Sequence, residues 1–477
     1  MQNDWNGQKV VIIGAARQGL ALARYLLSAG AQVWLTDQRP LDALGEARTA
    51  LVDLEAVGLP LAWVCGGHPF SLLDGAGWVC PSGGVPLDLP LIAEAQRRGI
   101  RLTNDSQIFL EVAPCPVIGI TGSAGKTTTT TLVGRMAAAA VQLPGSALRR
   151  TWVGGNIGAP LIADLDRMAP DHLAVMELSS FQLEIMTRSP HTAAVLNITP
   201  NHLDRHGTMQ AYAAAKAHIL LHQTVQDTAV LGRDDPGAWA LAGQVAGRLL
   251  SFGFSPLPPG QAGGYVDGDS LYLRRAPGEP GERLLDRSQI LLRGRHNVLN
   301  VLAACTIAAA AGLPVEALRQ GVQGFTGVAH RLEFVRQWRG ASWYNVSIAT
   351  APERAMAALH SFDEPLVLLV GGRDKKLPWE DFADLALRRV DHLVAFGEAA
   401  GLIAAAMQAA KTRAGGAPGR LRSVHQVGGL KEAVQAAAGL VEPGSVVLLS
   451  PGGTSYDEFK DFEERGRCFA NWVNELA

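Results

Sequence analysis

One pattern occurs three times in this chain: a short run of β-branched and other apolar residues, then a glycine turn, then a stretch that can form a helix. It is found in VVIIGAARQG (10–19), PVIGITGSAGK (116–126) and PLVLLVGGRDK (365–375). A strand followed by a glycine turn and a helix is how a nucleotide-binding α/β unit begins. The repetition therefore predicts three such units along the chain.

Other short apolar runs bounded by turn residues are typical of buried strands. They are QVWLTD (32–37), LAVMELSS (173–180), TAAVLNITP (192–200), HLVAFG (392–397) and SVVLLSPGG (445–453). Because these runs alternate with Ala/Leu-rich helical segments, they predict an α/β protein with parallel sheets. The Pro/Gly-rich residues 252–283 predict hairpins or loops instead.

The second repeat continues as VIGITGSAGKTTTTT (117–131) and has the composition of a phosphate-binding turn. Its glycines would let backbone N–H groups converge on phosphate oxygens, while Lys126 reaches the outer phosphates and Thr127 ligates Mg²⁺. The spacing differs by one residue from the common phosphate loop, which would have glycine at Ile120. The residues predict a phosphate site with an uncommon spacing.

Polar residues follow the next two predicted strands. Glu177 comes directly after LAVM, VLNITPNHLDRHG places Asn197, His202 and Asp204 beyond the following run, and Lys216 lies in an Ala-rich helix. Since ligands bind at the carboxyl ends of parallel strands, the carboxylate, the imidazole and the threonine of the turn are candidate magnesium ligands. Taken singly, each residue also has an ordinary structural interpretation, as a helix cap, a core imidazole or a solvated lysine.

The first repeat, VVIIGAARQGLALARYLLSAGAQVWLTD, is similar to a dinucleotide-binding turn. Asp37 closes the second strand, where a carboxylate commonly meets a ribose hydroxyl, but Ala16 replaces the middle glycine of the fingerprint. Two interpretations follow. The turn serves strand-to-helix packing alone, or it holds a nucleotide-like ligand at the helix N-terminus.

The composition of the chain limits the classes of function that it can have. At 477 residues the chain has the length of about three domains. Only 18% of the residues are charged and the formal net charge is -2, so no basic face for nucleic acid is expected. The first residues lack a secretory pattern and no apolar run approaches the roughly 18 residues of a membrane span, so we expect a cytoplasmic protein. The five cysteines are scattered and predict free thiols.

Taken in order along the chain, several motifs resemble those of the Mur ligases, ATP-dependent amino-acid ligases of peptidoglycan synthesis. The motifs are TGSAGKT (121–127), GGNIG (154–158), ELSSFQLE (177–184), NITPNHLDRHG (197–207), GRHNVLN (294–300), the pair His330 and Arg331, and LSPGGTSYDEFKDFEERG (449–466). The shorter phosphate turn of this family accounts for the unusual spacing. The resemblance covers essentially the whole chain.

The resemblance implies three domains. They are an N-terminal Rossmann-like domain for the UDP precursor (1–113), a central P-loop ATPase-like domain with a parallel sheet (114–327) and a C-terminal Rossmann-like domain for the amino acid (328–477). The turn-rich segments EVAPCP and GFTGVAHR lie near the two boundaries. A monomer without a membrane span or a nucleic-acid partner is expected.

The resemblance also implies an activity, that of an ADP-forming acid–amino-acid ligase. ELSSFQLE and the terminal SPxxxSxDxFxxFxxRG indicate the branch that adds D-glutamate to UDP-N-acetylmuramoyl-L-alanine through an acyl phosphate. This step belongs to cell wall synthesis and hence to cell shape and division. The implied small molecules are this nucleotide precursor, glutamate, ATP and two Mg²⁺ ions, with Lys216 carbamylated by CO₂.

Residue roles are carried over from the family motifs. The implied catalytic residues are Lys126, Asn156, His202 and Lys216. The implied ATP-binding residues are Gly122, Ser123, Ala124, Gly125, Lys126, Thr127, Thr128, Asn297, Asn300 and Arg331. The implied UDP-precursor residues are Gly14, Arg17, Gln18, Asp37, Gln38, Ser82 and Gly84. The implied amino-acid residues are Thr350, Lys375, Ser455 and Phe462. The implied metal ligands are Thr127, Glu177, His202 and carbamylated Lys216.

One loop departs from the family pattern. Where the family usually reads YNDSKATN, this chain reads YNVSIATAPE, so Val346 replaces an acid, Ile348 a lysine and Ala351 an asparagine. Lys375 or Lys376 would supply a nearby cation. The loss of two charges leaves open a ligase for L-glutamate or another amino acid. In the uracil turn, Gly83 stands where proline is usual.

Three further alternatives stay open. Folylpolyglutamate synthetase shares the phosphate turn but not the N-terminal domain or the final motif. An NAD-dependent dehydrogenase would leave the Lys126 turn unexplained, and a P-loop regulatory protein would hydrolyse ATP without ligation. Only a ligase would release phosphate in a manner that depends on both the UDP precursor and the amino acid.

Overall fold

A computed structural model describes residues 4–415 and 419–477, apart from the side chain of Asp204. The chain forms two compact units. The first comprises Met1–Leu291 and Arg295–Phe325, and the second Leu292–Gly294 and Thr326–Ala477. Each unit is built mainly from parallel strands that alternate with helices, with antiparallel strands at one edge of a sheet.

The first sheet of the first unit is entirely parallel. Its strands are β1 (Lys9–Ile13), β2 (Gln32–Asp37), β3 (Leu61–Cys65), β4 (Trp78–Pro81) and β5 (Arg101–Leu102), in the order β3-β2-β1-β4-β5. The helices between them are α1 (Arg17–Ser28), α2 (Gly45–Thr49), α3 (Val52–Ala56), α4 (Pro90–Arg97) and α5 (Asp105–Val112), with 3₁₀ turns at Leu41–Leu44 and Phe70–Leu73. The apolar side chains of the central strand β1 are buried, as both faces of a parallel sheet require.

A second sheet of nine strands follows in the same unit. Its strands are β6 (Val117–Thr121), β7 (Arg150–Gly155), β8 (His172–Glu177), β9 (Thr192–Val195), β10 (Thr228–Gly232), β11 (Arg248–Gly253), β12 (Ala262–Asp267), β13 (Ser270–Arg274) and β14 (Glu282–Asp286). Its helices are α6 (Lys126–Gln142), α7 (Ser180–Leu183), α8 (Leu203–His206), α9 (Met209–Leu221), α10 (Pro236–Trp239), α11 (Arg295–Ala310) and α12 (Val315–Val322). Short 3₁₀ helices span Leu161–Arg167, Ala242–Gln244 and Arg287–Gln289.

The order of the second sheet is β14-β13-β12-β11-β10-β9-β6-β8-β7. Strand β6 is fully buried and lies between β8 and β9, and the chain passes to different sides of it. Such a switch point is where α/β sheets bind ligands, beyond the carboxyl ends of the strands. The fold therefore directs attention to the residues that follow β6, β8 and β9.

The two sheets of the first unit share one apolar core. A single hydrophobic cluster contains Ile12 and Phe109 from the first sheet region and Leu161 and Val195 from the second. Because these side chains are buried together, the two sheets are held in one compact body.

The second unit contains a six-stranded sheet. Its strands are β15 (Glu333–Trp338), β16 (Ala341–Asn345), β17 (Leu366–Gly371), β18 (His392–Phe396), β19 (Ser423–Gln426) and β20 (Val446–Gly452), in the order β15-β16-β20-β17-β18-β19. Its helices are α13 (Pro352–Leu359), α14 (Glu380–Arg389), α15 (Ala400–Arg413), α16 (Leu430–Ala438) and α17 (Phe462–Asn474). Separate clusters cover its two faces, with Leu368 on one side and Leu369 on the other.

The prediction of an α/β protein rich in parallel strands is confirmed. The segment that was expected to form hairpins carries the antiparallel strands β12 to β14. The antiparallel edge strand β15 was not predicted, because its sequence contains charged residues and lacks a long apolar run. All five cysteines are free thiols.

Within the described ranges, no helix combines the length and the apolar character that a membrane crossing requires.

Candidate functional site

The glycine turn 122–125 connects β6 to helix α6. Gly125 has a φ of 82°, and a Cβ there would overlap the side-chain oxygen of Asn300 in the first part of α11. Glycine is therefore required by the backbone, and a Cβ at this position would also displace the Asn300 side chain. Helix α6 begins at Lys126. Its first-turn N–H groups and its dipole favour an anion at this turn.

Two lysine amines converge on this turn. Lys126 Nζ donates to the Gly122 carbonyl at 2.7 Å, and Lys216 Nζ donates to the same carbonyl at 3.1 Å and to Thr121 Oγ1 at 3.4 Å. Lys216 is 1% exposed. Burial, and then the neighbouring charge of Lys126, lowers the pKa of Lys216 to about 7, although Glu177 opposes the shift. About half of the amine is thus neutral near pH 7.

Glu177 supplies a buried carboxylate at the end of β8. Its Oε1 accepts a hydrogen bond from Asn156 Nδ2 at 2.8 Å, and its backbone carbonyl accepts from the Asn156 N–H at 2.9 Å. Its Oε2 is buried and has no hydrogen-bond partner in the described structure. A buried acceptor of this kind is costly unless a cation or a donor is bound to it.

The donor set fits Mg²⁺ held jointly with phosphate better than a metal enclosed by protein. Among the described side chains of residues 4–415 and 419–477, which do not include that of Asp204, no three His, Cys, Asp or Glu side chains are clustered to hold a metal ion. Magnesium usually takes one or two protein carboxylates and completes its octahedron with phosphate oxygens and water. The unpartnered oxygen of Glu177, near the glycine turn, matches that requirement.

The predicted ATP-binding residues of the first unit lie at the turn and at the start of two helices. Asn300 Nδ2 donates to Asn297 Oδ1 at 2.9 Å, which fixes the first turns of α11 beside the glycine turn. Thr127 is half-buried and Thr128 is buried. The Ala124 N–H already donates to Asn197 Oδ1 at 2.8 Å.

His202 lies on a strained segment that precedes α8. Its φ is 53°, a left-handed conformation that is unusual for a residue with a side chain. Its ring lies edge-on to Phe181 of α7, with a centroid separation of 5.2 Å, and His206 stacks on the same Phe181 at 5.1 Å. Since α7 follows β8 directly, this packing brings His202 beside the segment that continues from Glu177. The Asp204 side chain lies outside the described structure.

In the first sheet, Asp37 is held by its own neighbours. Its carboxylate accepts the Ala15 N–H at 2.8 Å, the Arg39 backbone N–H at 2.9 Å and two bonds from the Arg39 guanidinium at 2.9 and 3.0 Å. The Arg39 guanidinium lowers the pKa of Asp37 to about 2. The carboxylate is therefore charged and oriented, but much of its acceptor capacity is used within the protein.

The other predicted UDP-precursor residues surround the same strand ends. Ser82 Oγ donates to the Gly14 carbonyl at 3.2 Å, and Gln18 Oε1 accepts the Gly83 N–H at 3.2 Å. Arg17 and Gln38 are exposed at this edge.

The edges of the two sheets are linked by Arg205. Its Nη1 donates to the Gly84 carbonyl at 3.4 Å, and its guanidinium lies 4.7 Å from the Phe181 ring centroid. The turn 82–84 and the segment 197–206 are therefore in contact. The candidate precursor site and the glycine turn thus belong to one continuous rim of the first unit.

In the second unit, two of the predicted amino-acid residues are adjacent. Lys375 Nζ donates to Thr350 Oγ1 at 3.5 Å. Ser455 is buried after β20, and Phe462 begins α17. Arg331, predicted to contact ATP, lies in a short bridge with Val328 in this unit.

Arg465 organises these loops, and sequence reasoning did not identify it. Its guanidinium is fully buried and makes five bonds of 2.9 to 3.1 Å, to the hydroxyl and carbonyl of Ser347 and to the carbonyls of Gly453 and Thr454. Burial lowers its pKa to about 10. It lies in the quoted terminal motif, but an arginine in an amphipathic helix ordinarily indicates an exposed position.

The departures from the family loop have a structural counterpart. Val346 is buried in the apolar core of the second unit, and Ile348 packs against the same cluster. Ala351 precedes α13 with extended backbone and provides no side-chain cap. The two lost charges are thus replaced by core packing.

Comparison with known proteins agrees with this arrangement. Residues 120–308 match the Mur ligase middle domain, and residues 330–453 match the Mur ligase glutamate ligase domain. A protein of Symbiobacterium thermophilum named UDP-N-acetylmuramoylalanine–D-glutamate ligase is 40% identical over 470 residues, covering 98% of each chain. The chain belongs to the Mur ligase family.

Members of the Mur ligase family are ATP-dependent, ADP-forming ligases. A second Mur ligase of the same name, from Pelotomaculum thermopropionicum, is 40% identical and covers 100% of this chain and 99% of its own. Among solved structures, the UDP-N-acetylmuramate–alanine ligase of Thermotoga maritima matches 98% of this chain with a TM-score of 0.55 at 18% identity. That likeness supports the fold of this Mur ligase over its whole length.

Proposed function

We propose that this Mur ligase joins D-glutamate to UDP-N-acetylmuramoyl-L-alanine at the expense of ATP, in the synthesis of peptidoglycan precursors. The observation that carries the proposal is the meeting of Lys126, Lys216 and the unsatisfied Glu177 carboxylate at the glycine turn. Relatives that bear the corresponding name at 40% identity support the choice of substrates.

A carboxylate is a poor electrophile, so amide formation requires its prior activation. One carboxylate oxygen of the alanine would attack the γ-phosphorus of ATP, and ADP would leave. The amine of glutamate would then attack the acyl carbon, lose a proton and expel inorganic phosphate. Lys126 and the N–H groups of α6 would hold the negative phosphate oxygens where the two anions meet.

Glu177, Thr127 and His202 are the proposed metal ligands. Mg²⁺ bound there would offset the negative charge of the phosphates and the attacking carboxylate. Asn156 would keep Glu177 Oε1 in place, which leaves Oε2 for the cation. The binding of two Mg²⁺ ions, rather than one, is part of our proposal.

Lys216 is proposed to become carbamylated. A neutral amine adds CO₂ and releases one proton, and the lowered pKa of Lys216 makes the neutral form available near pH 7. The product is an anion, so the repulsion between Lys216 and Lys126 would become an attraction. A carbamate would also supply the oxygen ligand that a second cation requires.

The remaining assignments are carried over as proposals. We assign the first sheet to a Rossmann-like domain that binds the UDP precursor, and the second sheet to a P-loop ATPase-like domain that binds ATP. We assign the second unit to the binding of the amino acid, by Thr350, Lys375, Ser455 and Phe462. Arg331, Asn297 and Asn300 would contact the base and sugar of ATP. The boundaries after 113 and 327, the monomeric state and the cytoplasmic location remain predictions.

A second candidate is a ligase for L-glutamate or another amino acid, which the replacements at Val346, Ile348 and Ala351 favour. The two are separated by supplying D-glutamate and L-glutamate individually with UDP-N-acetylmuramoyl-L-alanine, ATP and Mg²⁺. We expect phosphate release with D-glutamate only. Release with neither amino acid would refute the assignment, and release with L-glutamate alone would establish the second candidate.

A further inference from the structure

Asn197 follows strand β9, at the carboxyl ends of the strands in the sheet that carries the glycine turn. None of the roles assigned above involves this residue. Strand β9 pairs with β6, with Val195 opposite Thr121. The residues after these two paired strands therefore continue side by side. Asn197 is opposite the turn in this arrangement.

The contacts between the two segments are reciprocal. Asn197 Oδ1 accepts the Ala124 N–H at 2.8 Å, and Asn197 Nδ2 donates to the Ala124 carbonyl at 3.1 Å. The Asn197 carbonyl accepts the Ser123 N–H at 2.9 Å. Ser123 Oγ donates to the Thr199 carbonyl at 2.9 Å and lies at the same distance from the Thr199 N–H. The backbone of Ser123 and Ala124 is thus fixed on both sides of their shared peptide bond.

This arrangement determines which donors an anion can meet. The N–H groups of Ser123 and Ala124 are engaged by Asn197, so an anion at the turn must be met by other donors, among them the N–H groups at the start of α6. Their direction is set by the turn that precedes them. A turn that is ordered before binding does not lose conformational entropy when the ligand arrives, and affinity is higher for that reason.

We propose that Asn197 is a positioning residue of the phosphate turn. It holds Ser123 and Ala124 in the conformation that presents the start of α6 to the ATP phosphates. The inference rests on the proposed function, because it takes ATP as the ligand of the turn.

The test compares N197A with a matched control, N104A. Asn104 also makes one accepted and one donated side-chain bond, from the Gln107 N–H and to the Gln182 carbonyl, both at 2.8 Å, but it lies away from the glycine turn. The measurements are the Kd of ATP by titration calorimetry, the KM values of ATP and glutamate, and the melting temperature. We expect N197A to weaken ATP binding about tenfold, or ~1.4 kcal/mol. The KM of glutamate should stay within about twofold, and N104A should retain the ATP affinity of the parent protein.

The variant N197D tests the same contact with a side chain of nearly equal size. It keeps an acceptor for the Ala124 N–H but places a second oxygen against the Ala124 carbonyl and a negative charge beside the phosphates. We expect weaker ATP binding than in N197A. ATP binding by N197A within about twofold of the parent, or an equal loss in N104A, would overturn the inference. A parent protein that does not bind ATP would instead refute the proposed function and this inference together.

Discussion

The two compact units each bury a cation, and the two cations are treated differently. Arg465 in the second unit is fully buried and makes five bonds to carbonyl and hydroxyl oxygens. Lys216 in the first unit is equally buried but has fewer partners, which are the Gly122 carbonyl at 3.1 Å, a long contact to Thr121 and the Tyr212 ring, whose centroid lies 4.6 Å from the amine. Both pKa values are lowered by burial, that of Arg465 to about 10 and that of Lys216 to about 7.

The difference distinguishes a buried cation that stabilises the fold from a buried amine that can take part in a reaction. A guanidinium with its donors satisfied remains charged at physiological pH and holds two loop segments together. An amine that is poorly compensated gives up its proton near neutrality and becomes nucleophilic. Glu177 resembles Lys216 in this respect, because one of its buried carboxylate oxygens has no hydrogen-bond partner in the described structure. Unsatisfied buried groups at the edge of a sheet are a common property of reactive sites.

The largest expected effect is on catalysis by Lys216→Ala. We expect the rate to fall about a thousandfold, or ~4 kcal/mol in the barrier, because the proposed carbamate anion is lost. Acetate or formate should restore part of the rate. Steady-state phosphate release measures both effects, with the exposed Lys411→Ala as the control. Activity equal to that of the parent would remove Lys216 from the chemistry.

The next effect is on stability, through Arg465→Lys. A lysine cannot replace the forked donors, so the carbonyls of Gly453 and Ser347 would lose buried partners, at a cost of roughly 3 kcal/mol. The control is Arg373→Lys, since Arg373 makes a bidentate pair with Glu398 at the surface. Such an exposed pair contributes less than about 1 kcal/mol. Equal losses in the two variants, measured by thermal unfolding, would contradict the structural role of Arg465.

A smaller effect of opposite sign is expected for Lys216→Met. The folded pKa of Lys216 is lowered to about 7, so the unfolded chain binds more protons than the folded chain between pH 7 and the ordinary lysine range. Stability of the parent therefore rises with pH across that window and is lowest below pH 7. In CO₂-free buffer at pH 6, the variant should be more stable by roughly 2 kcal/mol. The gain in the free energy of unfolding should become smaller towards pH 10. A variant that is less stable than the parent at pH 6 would show that the buried amine does not destabilise the fold.

The smallest effect is expected for Ala351→Asn. Ala351 has the extended backbone of an N-cap before α13 but no side-chain acceptor. An asparagine there would accept an N–H of the first helical turn and add about 1 kcal/mol. Calorimetric melting of the variant and of an Ala351→Val control would measure this gain. A melting point unchanged by asparagine would mean that this end of α13 does not limit stability.

Much of the arrangement around Lys216 could be predicted from the sequence. Buried strands and a glycine turn carry local signals, so the position of Glu177 at the end of β8 and that of Lys216 within α9 followed from the pattern of residues. The burial of Lys216 did not follow, because a lysine among alanines is ordinarily solvated. Burial depends on what packs against the helix.

Contacts between side chains from distant segments could not be predicted. The pairing of Asn197 with Ala124 requires β9 to lie beside β6, although β7 and β8 intervene in the sequence. The role of Arg465 depends on the packing of α17 against two loops. Each of these is a consequence of sheet order and tertiary packing, which hydrophobic periodicity does not encode.

The most direct test of the central claim follows the oxygen atoms of the acid. UDP-N-acetylmuramoyl-L-alanine labelled with ¹⁸O in its carboxylate would be turned over with ATP and D-glutamate, and the released phosphate analysed by mass spectrometry. Activation of the carboxylate by phosphorylation predicts one ¹⁸O atom in each phosphate released. Amide formation with unlabelled phosphate would contradict the account.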